Sequence, residues 1–197
     1  MTTFDEKTHT YAIDGNPVPS VTQIISEIVG VAWTAAPWYL ERGKAIHKCA
    51  EFIIKGKEFK FDDRLAGYIT ALKSFFKIVK PELIGCEQVV YSQTYRFAGT
   101  LDLGCKIGGV KTIIDWKHSI DKNRIPLQLG GYSVALKEMT REEFNHGIGV
   151  QIKEDGTFQM TEKTDLRRPR NEFLSLRTAY AIKVCCNALT QKEAANE

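Results

Sequence analysis

The chain has 197 residues, 43% of them hydrophobic and 26% charged, with a formal net charge of only +3. This composition excludes a disordered chain, and so small a net charge leaves any attraction for nucleic acid to a local basic face. No apolar run approaches the roughly 20 residues that cross a bilayer, and Met1-Thr2-Thr3-Phe4-Asp5-Glu6 lacks the basic-then-apolar order of a secretion signal. The expectation is one compact domain over residues 1–197, in the cytoplasm and without a membrane partner. Cys49, Cys86, Cys105, Cys185 and Cys186 form an odd set without C-x-x-C spacing. That argues against zinc and disulfide frameworks and for small buried apolar side chains.

In chain order, residues 8–13 and 17–18 flank Asp14-Gly15-Asn16 and predict a hairpin with a tight turn. Ser20 with Gln23 forms a capping box that starts a short helix at Val21. Trp38, Ala45, Ile46, Cys49, Phe52 and Ile53 recur at helical spacing and predict a second helix over 35–55. Asp62-Asp63 opens a third amphipathic run through Leu65, Ile69, Leu72, Phe75, Phe76 and Val79, stopped by Pro81. Three antiparallel strands are expected at 84–91, 96–106 and 110–118, with Gly108-Gly109 as the last turn. Residues 125–140 return to helix, and 144–153 with 157–162 form a strand pair around Asp155-Gly156. An amphipathic helix over 171–189 ends the pattern, before a tail after Thr190.

The chemistry gathers on the middle strands. Side chains two apart on a strand share a face, so Asp115 and Lys117 point one way and Trp116 the other. Thr112-Ile113-Ile114-Asp115-Trp116 and Ala98-Gly99-Thr100-Leu101-Asp102-Leu103 are nearly continuous apolar settings, where a carboxylate is costly without a compensating cation. Carboxylates on one face hold a hard divalent cation, and a lysine beside it meets a phosphate or an attacking water. Gly99 allows close backbone approach, as of a substrate. His47 and Glu51 lie four apart on one helical face, as do Gln128 and Tyr132. His47 reads as an imidazole ligand or a helix-surface residue, with Gly43 permitting tight packing one turn earlier, and Glu87 as a further ligand or a salt-bridge partner.

The order Gly43-x-x-x-His47-x-x-x-Glu51, Glu87, Gly99-x-x-Asp102, Asp115-x-Lys117 and Gln128-x-x-x-Tyr132 resembles the RecB-like branch of the PD-(D/E)XK nuclease superfamily. The opening Tyr11-x-x-Asp14-Gly15-x-x-Val18-Pro19-Ser20-Val21-Thr22 is similar to phage-type exonucleases and to mitochondrial genome-maintenance exonucleases. Leu101 stands where the superfamily's name-giving proline would be, and His118 where many relatives carry threonine.

The resemblance implies an α/β (α+β) restriction-endonuclease-like core, a central mixed sheet flanked by helices, with an N-terminal hairpin and helices. Its parts would be 1–34, the helical segment 35–82 carrying His47, the catalytic sheet and helix 83–162, and the C-terminal helix 171–190. It implies Mg²⁺ or Mn²⁺, as one or two ions, on His47, Asp102, Asp115 and the main-chain carbonyl of Trp116. Lys117, Asp115, Asp102 and Glu87 would be catalytic, with Gln128, Tyr132 and Glu51 supporting the site or touching DNA. An iron–sulfur cluster is not expected, because Cys185 and Cys186 diverge by about 100° on a helix. The implied activity is metal-dependent DNA exonuclease in phage or bacterial recombination, repair or degradation. An inactive DNA-binding or assembly module and a structure-specific endonuclease are the alternatives, and any recombination or single-strand-binding partner protein stays open. Arg42, Lys44, Lys48 and Arg167-Arg168-Pro169-Arg170 could meet phosphates, with Trp33, Trp38 or Tyr39 stacking on unpaired bases.

Overall fold

A computed structural model describes residues 1–30 and 37–194; Trp33 lies outside them. The chain opens with β1 (Thr2–Asp5), β2 (Thr10–Ile13) and β3 (Asn16–Val18) in one antiparallel sheet. Asp14 and Gly15 at φ 52° and 76° make the tight turn, since two positive φ values match the twist of a short hairpin. The expected hairpin thus gains a third strand, and Phe4 lies opposite Tyr11. Helix α1 (Val21–Val29) starts at Ser20, whose Oγ accepts the Gln23 N–H at 3.0 Å. The other half of the expected capping box does not form, because the Gln23 side-chain amide donates instead to the Tyr180 hydroxyl at 3.3 Å.

Helix α2 (Pro37–Ile54) and α3 (Ala66–Val79) follow, with a 3₁₀ turn at Asp63–Leu65 between them. The Asp62 carboxylate caps that turn through the Arg64 N–H, and Lys80, at φ 47°, ends α3 before Pro81. The main sheet has the order β4 (Glu82–Ser92), β5 (Phe97–Ile107), β6 (Val110–Lys117), β7 (His146–Ile152), β8 (Phe158–Met160). A further strand, β9 (Thr164–Asp165), pairs with β7. β4, β5 and β6 are antiparallel neighbours, whereas β7 runs parallel to β6 after the crossover helix α4 (Arg124–Thr140). The sheet is therefore mixed and has helices on both faces.

One face buries Ile46, Leu72, Phe75 and Trp116 beneath α2 and α3. The other buries Ile24, Leu129, Phe144 and Phe173 among α1, α4 and α5 (Arg167–Ala194). Helix α5 begins four residues before the expected start, with Pro169 in its first turn, where a missing N–H costs no hydrogen bond. A Cβ on Gly130 would sit 2.5 Å from the Pro169 carbonyl, so α4 and α5 touch nearly backbone to backbone. The outer half of α5 departs from the expected amphipathic packing. Ile182, Val184, Cys185, Cys186 and Leu189 are all exposed, so these two cysteines are not the buried apolar residues they were read as. No helix among the described residues is long and apolar enough to cross a membrane.

Candidate active site

The sheet forks where its acids stand. The β5–β6 ladder runs from Ile107↔Val110 to Leu103↔Ile114 and stops. Beyond that point β5 stays paired with β4, while β6 stays paired with β7 as far as Lys117↔Gln151. Asp102 and Asp115 are the first residues past the fork. Asp102 Oδ2 accepts the Trp116 N–H at 2.8 Å and so replaces a ladder bond the diverging strands cannot make.

The other oxygen of Asp102, Oδ1, lies 3.3 Å from Nδ1 of His47 on α2. The pairs Cys86↔Leu103 and Gln88↔Leu101 set Glu87 opposite Asp102, and Glu87 Oε1 is 3.6 Å from the same imidazole nitrogen. Glu87 adopts φ 47°, a left-handed conformation that disfavours a residue with a Cβ. Its Oε1 is buried without a hydrogen-bond donor. One ligand atom from each of His47, Glu87 and Asp102 lies within 4.8 Å of the other two.

Asp115 is 1% exposed. Its Oδ2 sits 2.5 Å from Lys117 Nζ, an ion pair without hydrogen-bond alignment, and its Oδ1 accepts from Gln128 Nε2 at 2.8 Å. Gln128 Nε2 also donates to the Tyr132 hydroxyl at 2.9 Å. Trp116 points to the opposite face, edge-on to Phe75 with ring centres 5.1 Å apart. A Cβ on Gly99 would meet the Tyr132 ring at 2.8 Å, so the close approach this glycine allows is that of Tyr132 and not of the substrate expected there. Gly43 does the reverse of what was expected: a Cβ there would meet nothing within 4 Å, and the residue leaves space open beside His47.

Burial works against a charged His47, but the Asp102 charge and hydrogen bond, with help from Glu87, push its pKa to about 10. Burial likewise opposes ionisation of Asp102, and the His47 charge outweighs it, holding Asp102 below its ordinary value. Asp115 is raised to about 6 by burial and by the Asp102 charge, against the pull of Lys117. Lys117 is raised despite burial, because Asp115 and Asp102 favour its ammonium. Burial also drives the Tyr132 phenol well up.

These groups floor a groove of about 840 Å³, with α2 as one wall through Gly43, Lys44, His47, Lys48 and Glu51. The N-terminal sheet forms the other through Phe4, Glu6, His9 and Tyr11, with Ser20 and Thr22 beside them. Phe4 and His9 were not singled out from the sequence; the signal available was three rings within its first eleven residues.

The remaining candidates are distributed unevenly. Glu51 is paired with Lys48 and Lys55, each at 2.7 Å. Arg42 donates to the Tyr68 hydroxyl at 3.0 Å and lies over the Tyr39 ring, while Arg64 lies 3.9 Å over Trp38. Arg167 and Arg168 face a different cleft, between α4 and α5, and pair with Asp165 and Glu172. Arg170 turns inward to Ser133 Oγ, the Phe144 carbonyl and Asn145 Oδ1. The arginine cluster, read as a DNA contact, thus shares no lining residue with the groove; Arg167 and Arg168 stay exposed in local ion pairs, and Arg170 alone of the three turns inward.

The donors fit a hard divalent cation. Two carboxylates and one imidazole converge, and Glu87 Oε1 has no donor to satisfy it. Of the residues the resemblance puts on an ion, His47 and Asp102 belong to this group. Asp115 stands beside them, with Oδ1 bonded to Gln128 and Oδ2 buried without a hydrogen-bond donor next to Lys117, and Trp116 meets Asp102 through its N–H.

No protein-family profile matches the chain, and no curated protein matches its sequence. Among solved structures, it is similar to the exonuclease LHK-Exo in complex with dAMP, at TM-score 0.51 and 11% identity, over 91% of this chain and 95% of that one. The chain shares that fold. A second structure, described as an alkaline exonuclease (LHK-Exo) from Laribacter hongkongensis, superposes at TM-score 0.48 with 12% identity, over 90% of this chain and 94% of that one.

Proposed function

We propose that the protein is a divalent-cation-dependent DNA exonuclease of the PD-(D/E)XK type, acting in phage or bacterial DNA recombination, repair or degradation. The observation that carries this reading is the convergence of His47, Glu87 and Asp102 at the strand fork, next to the Asp115–Lys117 pair on the floor of an open groove. The shared fold with an exonuclease crystallised with a deoxynucleotide supports DNA as the substrate class.

Mg²⁺ or Mn²⁺ held by His47, Glu87 and Asp102 would supply positive charge to the scissile phosphate and acidify an attacking water. His47 must then give up the proton that Asp102 and Glu87 favour on Nδ1. Lys117, held against Asp115 on the groove floor, would orient the attacking water or donate to a phosphate oxygen and stabilise charge there. Asp115 holds Lys117, and Gln128, itself bonded to Tyr132, holds Asp115.

The test is incubation of end-labelled linear DNA and of closed circular DNA with Mg²⁺ or Mn²⁺, and with chelator. The reading predicts cation-dependent release of nucleotides from the linear form alone. Cleavage of the circle would make the enzyme an endonuclease, and no cleavage of either would refute the reading.

A further inference from the structure

Of the rings expected to stack on bases, Trp38 lies under Arg64 and Tyr39 under Arg42. A different set stands in the groove. Phe4 lies flat on Tyr11, with ring centres 4.7 Å apart and planes 22° from parallel. His9 meets both edge-on, at 5.3 and 5.6 Å. Tyr11 is buried and bonds through its hydroxyl to Thr100 Oγ1 at 2.9 Å. Thr100 is on β5, two residues from Asp102, so the stack is tied to the strand that carries the central acid. His9 is held at φ 52°, a conformation that a side-chain-bearing residue adopts at a cost and that brings its ring against the other two.

The two walls differ in chemistry. The α2 wall presents the cations Lys44 and Lys48, although Lys48 shares its charge with Glu51. The sheet wall presents Phe4, His9 and Tyr11 with one carboxylate, Glu6, which repels phosphate. A single strand laid along this groove would keep its phosphates toward α2 and turn its bases to the rings.

We propose that Phe4 and His9, backed by Tyr11, form a base-stacking platform that selects single-stranded DNA for the site at Asp102 and Lys117. This rests on the nuclease reading. A duplex offers few free base faces, since each is covered by its neighbours, whereas an unpaired strand exposes them; stacking tolerates any sequence because every base has a π-face. The α2 wall offers only Lys44 and the shared Lys48 to phosphates, so stacking adds affinity for an unpaired strand that a duplex does not gain.

The experiment is fluorescence anisotropy of labelled oligo(dT) and of a blunt duplex of equal length, in chelator, for the full chain and for Phe4→Leu, Phe4→Trp and His9→Ala. Phe4→Leu is expected to raise the oligo(dT) Kd about 5- to 150-fold, the loss of one stacked base, with little change for the duplex. Phe4→Trp should retain binding, which loss of mere packing on Tyr11 would not predict. In cleavage of the single strand, the loss should fall on KM and not on kcat. His9→Ala covers the case in which Phe4→Leu unfolds. An unchanged oligo(dT) Kd in both Phe4→Leu and His9→Ala, or equal weakening for strand and duplex, would overturn the platform. The two readings fail separately. A protein that binds oligo(dT) through Phe4 but cuts no DNA loses the nuclease reading, and one that cuts DNA indifferently to Phe4 and His9 loses only the platform.

Discussion

Asp102 accepts the main-chain N–H of Trp116 at 2.8 Å, so one carboxylate both closes the gap where β5 and β6 part and faces His47. The two oxygens have separate tasks, and substitution can separate them. Asp102→Asn keeps an acceptor for Trp116 while removing the charge; Asp102→Ala leaves a buried N–H unpaired. We expect both to lose Mn²⁺ binding by calorimetry. Urea melts should show Asp102→Ala less stable than Asp102→Asn by about 1–3 kcal/mol.

Glu87 faces the same imidazole from a left-handed backbone at φ 47°. A Cβ in that conformation costs about 1–2 kcal/mol. Glu87→Gly removes both the strain and the carboxylate, whereas Glu87→Ala removes the carboxylate alone. The glycine variant should therefore be the more stable of the two by about 1 kcal/mol, with cation binding weakened equally in both. Paired denaturation and calorimetry measurements check this.

Gly99 touches no ion, yet a Cβ there would press on the Tyr132 ring at 2.8 Å. Tyr132 is bonded to Gln128, and Gln128 to Asp115, so displacement of the ring passes to the Asp115–Lys117 pair. Gly99→Ala is expected to cost about 1–3 kcal/mol of stability. It should also lower kcat of DNA cleavage more than it raises KM, as a steady-state comparison would show.

Glu138 on α4 ties the turn after β4 to that helix. It accepts from Ser92 Oγ at 2.5 Å and from the Thr94 N–H and hydroxyl at 2.9 Å each. Burial raises its pKa, but those donors outweigh it and hold the carboxyl below its ordinary value. A depressed folded pKa stabilises above the unfolded pKa, and the benefit disappears as pH falls through the folded one. The Glu138 contribution to stability should therefore be full at neutral pH and be lost as pH falls below the ordinary glutamate pKa of 4.5, so that Glu138→Gln loses less stability on acidification in urea melts.

Local signals were legible in the sequence. Asp14-Gly15 and Gly108-Gly109 mark turns because their backbones take positive φ, and Ser20 marks the start of α1 because its hydroxyl caps Gln23. Strand period alone puts Asp115 and Lys117 on one face. Features made by distant pairing were not legible. β1 carries only Phe4 as a large apolar residue and becomes a strand by pairing with β2. Glu87 gives no local sign of its left-handed backbone. The amphipathic helix expected over 171–189 packs only in part: Ile182, Val184 and Leu189 are exposed where α5 runs past the body that its first half covers. Phe4 and His9 join the groove because the N-terminal sheet docks on β5, through the Tyr11–Thr100 and Arg96–Ile13 bonds and the buried Ile13, Val18 and Ala98.

The most direct measurement is the rate at which wild type and Lys117→Ala release nucleotides from end-labelled linear DNA in Mn²⁺. Lys117 remains charged beside Asp115, so its removal should lower kcat by about 10²–10³-fold while the variant still binds Mn²⁺ and melts cooperatively. Equal rates for the two proteins, with folding and cation binding intact in both, would contradict the assignment of the fork at Asp102 and Asp115 as the site of phosphodiester cleavage.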